Sequence, residues 1–164
     1  MNPLTFDLRD LPPTLPLFPL PSALLLPGSQ LPLNIFEPRY LAMIEDALQT
    51  PERIIGMVQP LNEDGTLFDV GCAGRISYFQ ESGDGRYMIA LTGICRFTLQ
   101  AEQLTDRGYR RATIDWCRFA DDLKSINVTA NAGPFLVQAP NGGGAAIGNT
   151  QLPVNWDMAG TNAN

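Results

Sequence analysis

The sequence predicts a mainly β, α+β fold in which six to eight short strands and one principal helix form a small, closed or half-closed barrel. Three observations predict it. Prolines cut a strongly apolar stretch at residues 15–40 (LPLFPLPSALLLPGSQLPLNIFEPRY) into short pieces, the apolar spacing then becomes helical, and later segments read as short strands bounded by Gly- and Asp-rich turns.

In the first stretch Pro16, Pro19, Pro21, Pro27 and Pro32 each lack an N–H and fix φ, which confines strands to short, edge or bulged pieces. From Pro38 onward Tyr40, Leu41, Ile44 and Leu48 fall on one helix face. Pro38 suits the first helical turn, where its missing donor would have had no intrahelical partner. Glu37 stands where a carboxylate can accept from free N–H groups, and Pro51 stops the helix after Thr50.

Residues 54–59 (IIGMVQ) have the composition of a central strand, and Asn62-Glu63-Asp64-Gly65 that of a polar turn. Residues 74–80 and 86–91 read as a hairpin around Asp84-Gly85, a pair that suits a primed turn with φ > 0. Gly93 predicts a bulge or sharp bend before a strand at residues 95–100. Residues 110–119 alternate Ala112, Ile114 and Trp116 with Thr113, Asp115 and Cys117, as a half-buried strand does.

A chain of 164 residues, 45% hydrophobic and 17% charged, is one domain of ordinary size or a smaller domain with an appendage. A net charge of −6, with Lys124 the single lysine and no basic run, opposes nucleic-acid binding. The absence of histidine excludes Ser–His–Asp and Cys–His catalysis and histidine-containing zinc sites within this chain. Lys124, beside Asp121 and Asp122, reads as solvated rather than as the desolvated base of a Ser–Lys dyad. Cys72, Cys95 and Cys117 are too widely spaced for a clip and sit in strand-like stretches; they read as small core residues in a reducing compartment, and one disulfide stays compatible with the sequence.

The first 20 residues carry Asp7 and Asp10 ahead of a proline-broken apolar part, unlike a signal peptide, and no stretch approaches the ~20 apolar residues that span a bilayer. The expected setting is soluble and cytoplasmic, with no membrane partner. Residues 143–150 (GGAAIGNT) approach a phosphate-cradling loop but place Asn149 where the lysine belongs, so they read as a flexible loop. Asn127-Val128-Thr129 spells a glycosylation sequon, which matters only in a secreted eukaryotic chain. The neighbouring carboxylates Glu45-Asp46, Glu63-Asp64 and Asp121-Asp122 read as solvated surface rather than convergent acid–base pairs.

With no catalytic residue, metal site or cofactor expected, binding by shape and apolar contact remains. Leu24, Leu25 and Leu26 in a row cannot all face one core from a strand: either at least one is exposed or covers another element, or the segment is a strand buried on both faces. A helix packed against this loop would bring Phe36, Glu37, Arg39 and Tyr40 beside it. These seven residues are the candidate partner-binding set.

The segments at residues 15–48, 54–60 (IIGMVQP) and 70–99 (VGCAGRISYFQESGDGRYMIALTGICRFTL), with the YRRATIDW strand, resemble the N-terminal substrate-binding domain of the Lon protease family over residues 13–120. The resemblance implies a PUA-like pseudo-barrel that recognises unfolded or flexible protein segments without cleaving them, in association with ATP-dependent Lon-type proteolysis. An adaptor or regulatory subunit docking on a separate ATPase or protease is the alternative. RNA binding, by analogy with other PUA-like domains, is opposed by the acidic balance. Lacking an ATPase module and a Ser–Lys proteolytic domain, the chain is similar to small standalone bacterial proteins that carry only this domain. On this reading Leu25→Asp or Tyr40→Ala weakens capture of a denatured client and leaves the fold intact.

Composition changes near Lys124, because residues 125–164 hold Asp157 as their single charged residue. Residues 135–138 and 152–156 have strand character, but two strands cannot bury a core alone. The tail is expected to be a docked extension, an incomplete piece of a second β domain, or disordered. From Gly133 it resembles the opening of a β-sandwich module attached to secreted metalloproteases, through its P-N-G-G and V-x-W-D-x-A-G-T-N patterns. The usual extracellular setting of that module clashes with a cytoplasmic first part, which motivates the hypothesis of a fused or mis-joined reading frame near Lys124.

Overall fold

Strands that are apolar on both faces need cover on both sides, and the chain meets that need by placing its sheet between two hydrophobic clusters. A computed structural model describes residues 6–124 and 137–138. Its strands are β1 (Thr14–Pro19), β2 (Gln30–Ile35), β3 (Ile54–Val58), β4 (Val70–Glu81), β5 (Tyr87–Leu104), β6 (Arg110–Asp115) and β7 (Val137–Gln138), with helix α1 (Pro38–Leu48) between β2 and β3. They run in the order β4-β3-β1-β6-β5-β2-β7, and β4 also pairs with β5. That extra pairing closes β1, β3, β4, β5 and β6 into a ring, to which β2 and β7 are attached. This is the PUA-like pseudo-barrel that the resemblance implies.

Alternation along β1 divides the core. Leu15 and Leu17 join Phe97, Ile114 and Trp116 in one cluster, while Phe18 joins Leu31, Leu33, Ile35 and the helix residues Tyr40, Met43, Ile44 and Ala47 in the other. The prolines fall where a strand has a neighbour on one side. Pro16 is paired with Arg111 of β6 before the β3 ladder begins at Leu17, and Pro19 is paired with Val58 of β3 after the β6 ladder has ended. Pro32 is paired with Ala90 of β5, while β7 covers Leu33 and Asn34. No ladder loses a needed donor this way.

Helix α1 begins at Pro38 as expected, but the Glu37 carboxylate does not cap it. Arg39 Nε holds that carboxylate at 2.8 Å, and the Glu37 carbonyl receives the Tyr40 and Leu41 N–H groups instead. The β4–β5 hairpin also turns through a longer loop than the primed type expected. Gly85 has φ +80° and Asp84 is not left-handed; Gly85 N–H donates to Ser82 O and Ser82 N–H to Arg86 O, so a type I turn leads into a left-handed glycine.

The bulge falls as the glycine predicts: Gly74 pairs with Gly93 and Ala73 with Cys95, which leaves Ile94 extra on β5. A Cβ at Gly93 would overlap the Leu26 carbonyl oxygen, so this position admits only hydrogen. The strand expected at residues 110–119 ends at Asp115, and Cys117–Lys124 forms kinked 3-10 turns instead. Trp116 anchors the change of direction through Nε1–H to Pro12 O at 3.0 Å.

Cys117 is consequently exposed, whereas Cys72 and Cys95 are buried, and all three are free thiols. Asp122 is not solvated surface. Its two oxygens take Arg96 Nε–H at 2.9 Å and the Arg96 terminal N–H at 2.8 Å, which ties the 3-10 segment to β5 and holds the Asp122 carboxyl below its ordinary range. Asp121 pairs with exposed Lys124 at 2.6 Å. The sequon, the glycine loop at 143–150, the strand expected at 152–156 and the metalloprotease-module patterns lie outside the described residues, as do residues 135–136 of the strand expected at 135–138.

Candidate functional site

Where β1 ends, Pro19 and Pro21 carry the chain away from the ring, and a groove of about 790 Å³ opens between this exit, the loop at residues 60–67 and the β5–β6 turn. Tyr40 from α1 and Tyr109, just before β6, line it with their buried rings. Tyr40 packs on Phe18 at 4.4 Å between ring centroids, and the Arg39 guanidinium lies 4.6 Å over the Tyr40 ring. Leu61 and Leu104 line the groove at 48% and 71% exposure, so both present apolar surface to a ligand.

The 60–67 loop is held by polar bonds. Leu61 N–H reaches Thr66 O at 2.7 Å, and Gly65, at φ +88°, closes the turn on Asn62 O. Arg110 Nη1 donates to Gly65 O at 2.7 Å and reaches Glu102 at 3.3 Å, which fixes the loop against β5 and β6. Asp64 accepts from Thr66 N–H at 2.9 Å, and this bond holds its carboxyl below the ordinary carboxylate range.

Behind the groove, α1 is tied to the β5–β6 turn. The Arg107 guanidinium takes both Glu45 and Asp46, so these adjacent carboxylates do converge, on one cation rather than on solvent. Tyr109 Oη–H donates to Asp46 at 2.7 Å and Tyr87 Oη–H to Glu45 at 3.0 Å. Burial, and after it the Asp46 bond, push the Tyr109 phenol up, which keeps it a donor.

A second, smaller depression of about 110 Å³ lies over β3 and β4. Leu24 and Leu26 line it from an irregular loop, not a strand, together with exposed Val70. Leu24 is 45% exposed while Leu25, between them, is 3% exposed and packs in the helix-side cluster. Ser29 fixes the loop, its Oγ–H donating to Leu26 O at 2.7 Å and its Oγ accepting from Leu26 N–H at 3.0 Å.

The structure therefore divides the seven predicted residues. Arg39 and Tyr40 line the groove, Leu24, Leu25 and Leu26 line the depression, and the two share no lining residue. Glu37 pairs with Arg39, and Phe36 lies half-buried with the Arg86 guanidinium 5.7 Å from its ring. Leu25 and Tyr40 are core residues, so Leu25→Asp and Tyr40→Ala change stability as well as surface, contrary to expectation. The groove residues that sequence reasoning missed include Leu61, Leu104, Tyr109 and Arg110. Their signal was faint: two single leucines set among polar residues.

The two buried thiols are not activated as nucleophiles. Burial pushes the Cys95 thiol up to about 12 and Cys72 still higher, which leaves both protonated. Among the described residues no cluster of three or more His, Cys, Asp or Glu is arranged to hold a metal, and no helix is long and apolar enough to cross a membrane.

Residues 14–133 match the family profile described as the ATP-dependent protease La (LON) substrate-binding domain. A Lon protease of Anaeromyxobacter dehalogenans (strain 2CP-C) is 29% identical over 136 residues, covering 79% of this chain and 16% of that protein. Lon protease 2 of Myxococcus xanthus is 29% identical over 130 residues, covering 76% of this chain and 15% of that one. The chain thus spans a small fraction of the length of these curated relatives. Among solved structures, a Lon N-terminal domain protein from Xanthomonas campestris is 35% identical with a TM-score of 0.55, over 63% of this chain and 59% of that one. The N-terminal domain of Mycobacterium avium complex Lon protease has a TM-score of 0.53 at 14% identity, over 63% and 54%, a likeness of fold.

Proposed function

Because the chain belongs to the family of ATP-dependent protease La (LON) substrate-binding domains, we propose that it is a non-catalytic module that binds unfolded or flexible protein segments for Lon-type proteolysis. The observation that carries this reading is the groove: two exposed leucines, Leu61 and Leu104, beside a lining of proline, tyrosine and arginine. Covering what remains exposed of both leucines offers about 1 to 2 kcal/mol each. After the entropy lost on association, that supports weak, reversible contact rather than nanomolar binding. Weak contact through apolar side chains suits segments of varied sequence.

A labelled, permanently unfolded polypeptide, reduced and carboxymethylated, tests this by fluorescence anisotropy. Leu61→Asp with Leu104→Asp is expected to weaken binding about tenfold while thermal unfolding is unchanged. Equal affinity for the variant and the parent would remove the groove from the reading.

A second reading, docking on a separate ATPase or protease, is favoured by the separateness of the Leu24, Leu26 and Val70 surface from the groove. Site-specific crosslinking from Leu24 in the native cell would then trap one stoichiometric partner. By either reading the setting is the bacterial cytoplasm, and the domain comprises residues 13–120 with residues 125–164 as an appendage. The composition break near Lys124 supports that boundary, although the family match extends past it to residue 133.

A further inference from the structure

An edge strand presents alternate backbone groups to whatever lies beside it, and β2 has such an edge. The bond from Gly93 N–H to Ser29 O fixes the phase of the β2–β5 ladder. With Ser29 and Gly93 a hydrogen-bonded pair, Leu31, Leu33 and Ile35 turn their backbone groups toward Leu91, Ile89 and Tyr87, while Gln30, Pro32 and Asn34 turn theirs outward. Pro32 has no N–H, so Gln30 and Asn34 supply the outward donors of this strand.

Along the outward side runs β7, parallel to β2, with Val137 opposite Leu33 and Gln138 opposite Asn34. The pairing falls at the Asn34 donor, on the far side of Pro32 from Gln30. Asn34 is 5% exposed, and its Oδ1 is buried without a hydrogen-bond partner among the described residues.

We propose that the outer edge of β2 is a strand-addition site, and that the strand it takes is this chain's own segment Val137–Gln138, running parallel to β2. Main-chain bonds supply the attraction in strand addition, so the site asks chiefly for an extended backbone in the right direction. Pro32 limits the pairing to the C-terminal half of β2. While β7 is seated, the edge is closed to an extended segment from elsewhere. The β2 edge acts through backbone groups and shares no residue with the groove, so strand addition is independent of client binding there.

The test uses the full chain and a double variant, Val137→Pro with Gln138→Pro. Alternation sends one of these two N–H groups toward β2 whatever the phase of β7, so the variant removes it. Hydrogen exchange should then speed up at the Asn34 amide and stay unchanged at the inward Leu33 and Ile35 amides, which also verifies that the variant is folded. A labelled peptide of residues 133–140 is expected to bind the variant about tenfold more tightly than the parent, whose own segment competes at high effective concentration. The same peptide N-methylated at residues 137 and 138 should not bind. Unchanged Asn34 exchange, or equal binding of the plain and N-methylated peptides, would overturn the proposal.

Discussion

The loop at residues 20–29 and the loop at residues 60–67 both present leucines to solvent beside the ring of strands, yet only the first sends a leucine into the core and only the second is fastened by charged groups. The first is held by packing and by uncharged hydrogen bonds: Leu25 enters the core, its Cδ2 2.7 Å from where a Cβ at Gly74 would stand, the Leu26 carbonyl rests on Gly93, and Ser29 bonds Leu26 in both directions. The second is held by hydrogen bonds and charge, through Arg110 to Gly65 O and Asp64 to Thr66 N–H. A fastening of packing and uncharged bonds responds to volume and hardly to pH. A charged fastening does the reverse, which gives two candidate binding surfaces of one domain separate controls.

Substitutions and pH can break that contrast. The largest effect is expected from Leu25→Asp, which buries a carboxylate in the helix-side cluster and should destabilise by about 3 to 5 kcal/mol; a denaturation midpoint close to the parent's would mean that the loop is not packed as described. Gly93→Ala follows at about 2 to 3 kcal/mol, since the Leu26 carbonyl must move aside, and calorimetry should register the loss as a lower Tm. Arg110→Ala should lose about 1 kcal/mol and speed hydrogen exchange in the 60–67 loop while leaving the 20–29 loop alone.

Acid should act on the polar loop in the same sense. The Asp64 carboxyl is depressed by its bond to Thr66 N–H, so its contribution is present above the ordinary carboxylate pKa and is lost as pH falls through the lower folded value. Thr66 amide exchange, corrected for intrinsic rate, should therefore rise below about pH 4, and a flat profile would show that Asp64 does not hold the turn. Smallest of all, Leu24→Ser and Leu26→Ser should each change stability by no more than about 0.5 kcal/mol, measured by urea titration.

Sequence patterns exposed what is set locally. The start of α1 at Pro38, the single-neighbour prolines and the break at Gly93 each follow from a property of one residue and its near neighbours. Partners distant in the chain left no such trace. Arg107 meets Glu45 and Asp46 from the β5–β6 turn, and no periodicity in either segment announces the other. Glu37 had the chemistry of a cap, but Arg39 competed for its carboxylate. Asp84-Gly85 specified a turn but not its type, because one left-handed glycine also satisfies a type I turn with a bulge.

The candidate site was half legible for the same reason. A run of leucines between prolines is visible as composition, whereas a groove built from single residues of β1, α1, β5 and β6 exists only after the ring has closed. The Cys117 misplacement came from extending an alternation that tertiary packing ends at Trp116.

The ring also has a timetable. β1 is stitched to β6, with Leu15 opposite Ala112, so the first strand to be made depends on the last of the ring. Their separation is roughly 100 residues, and at about 5–20 residues per second a ribosome needs about 5 to 20 seconds to join them. Throughout that interval Leu15, Leu17 and Phe18 lack their final neighbours, so a nascent chain of this protein is itself an unfolded, leucine-bearing segment.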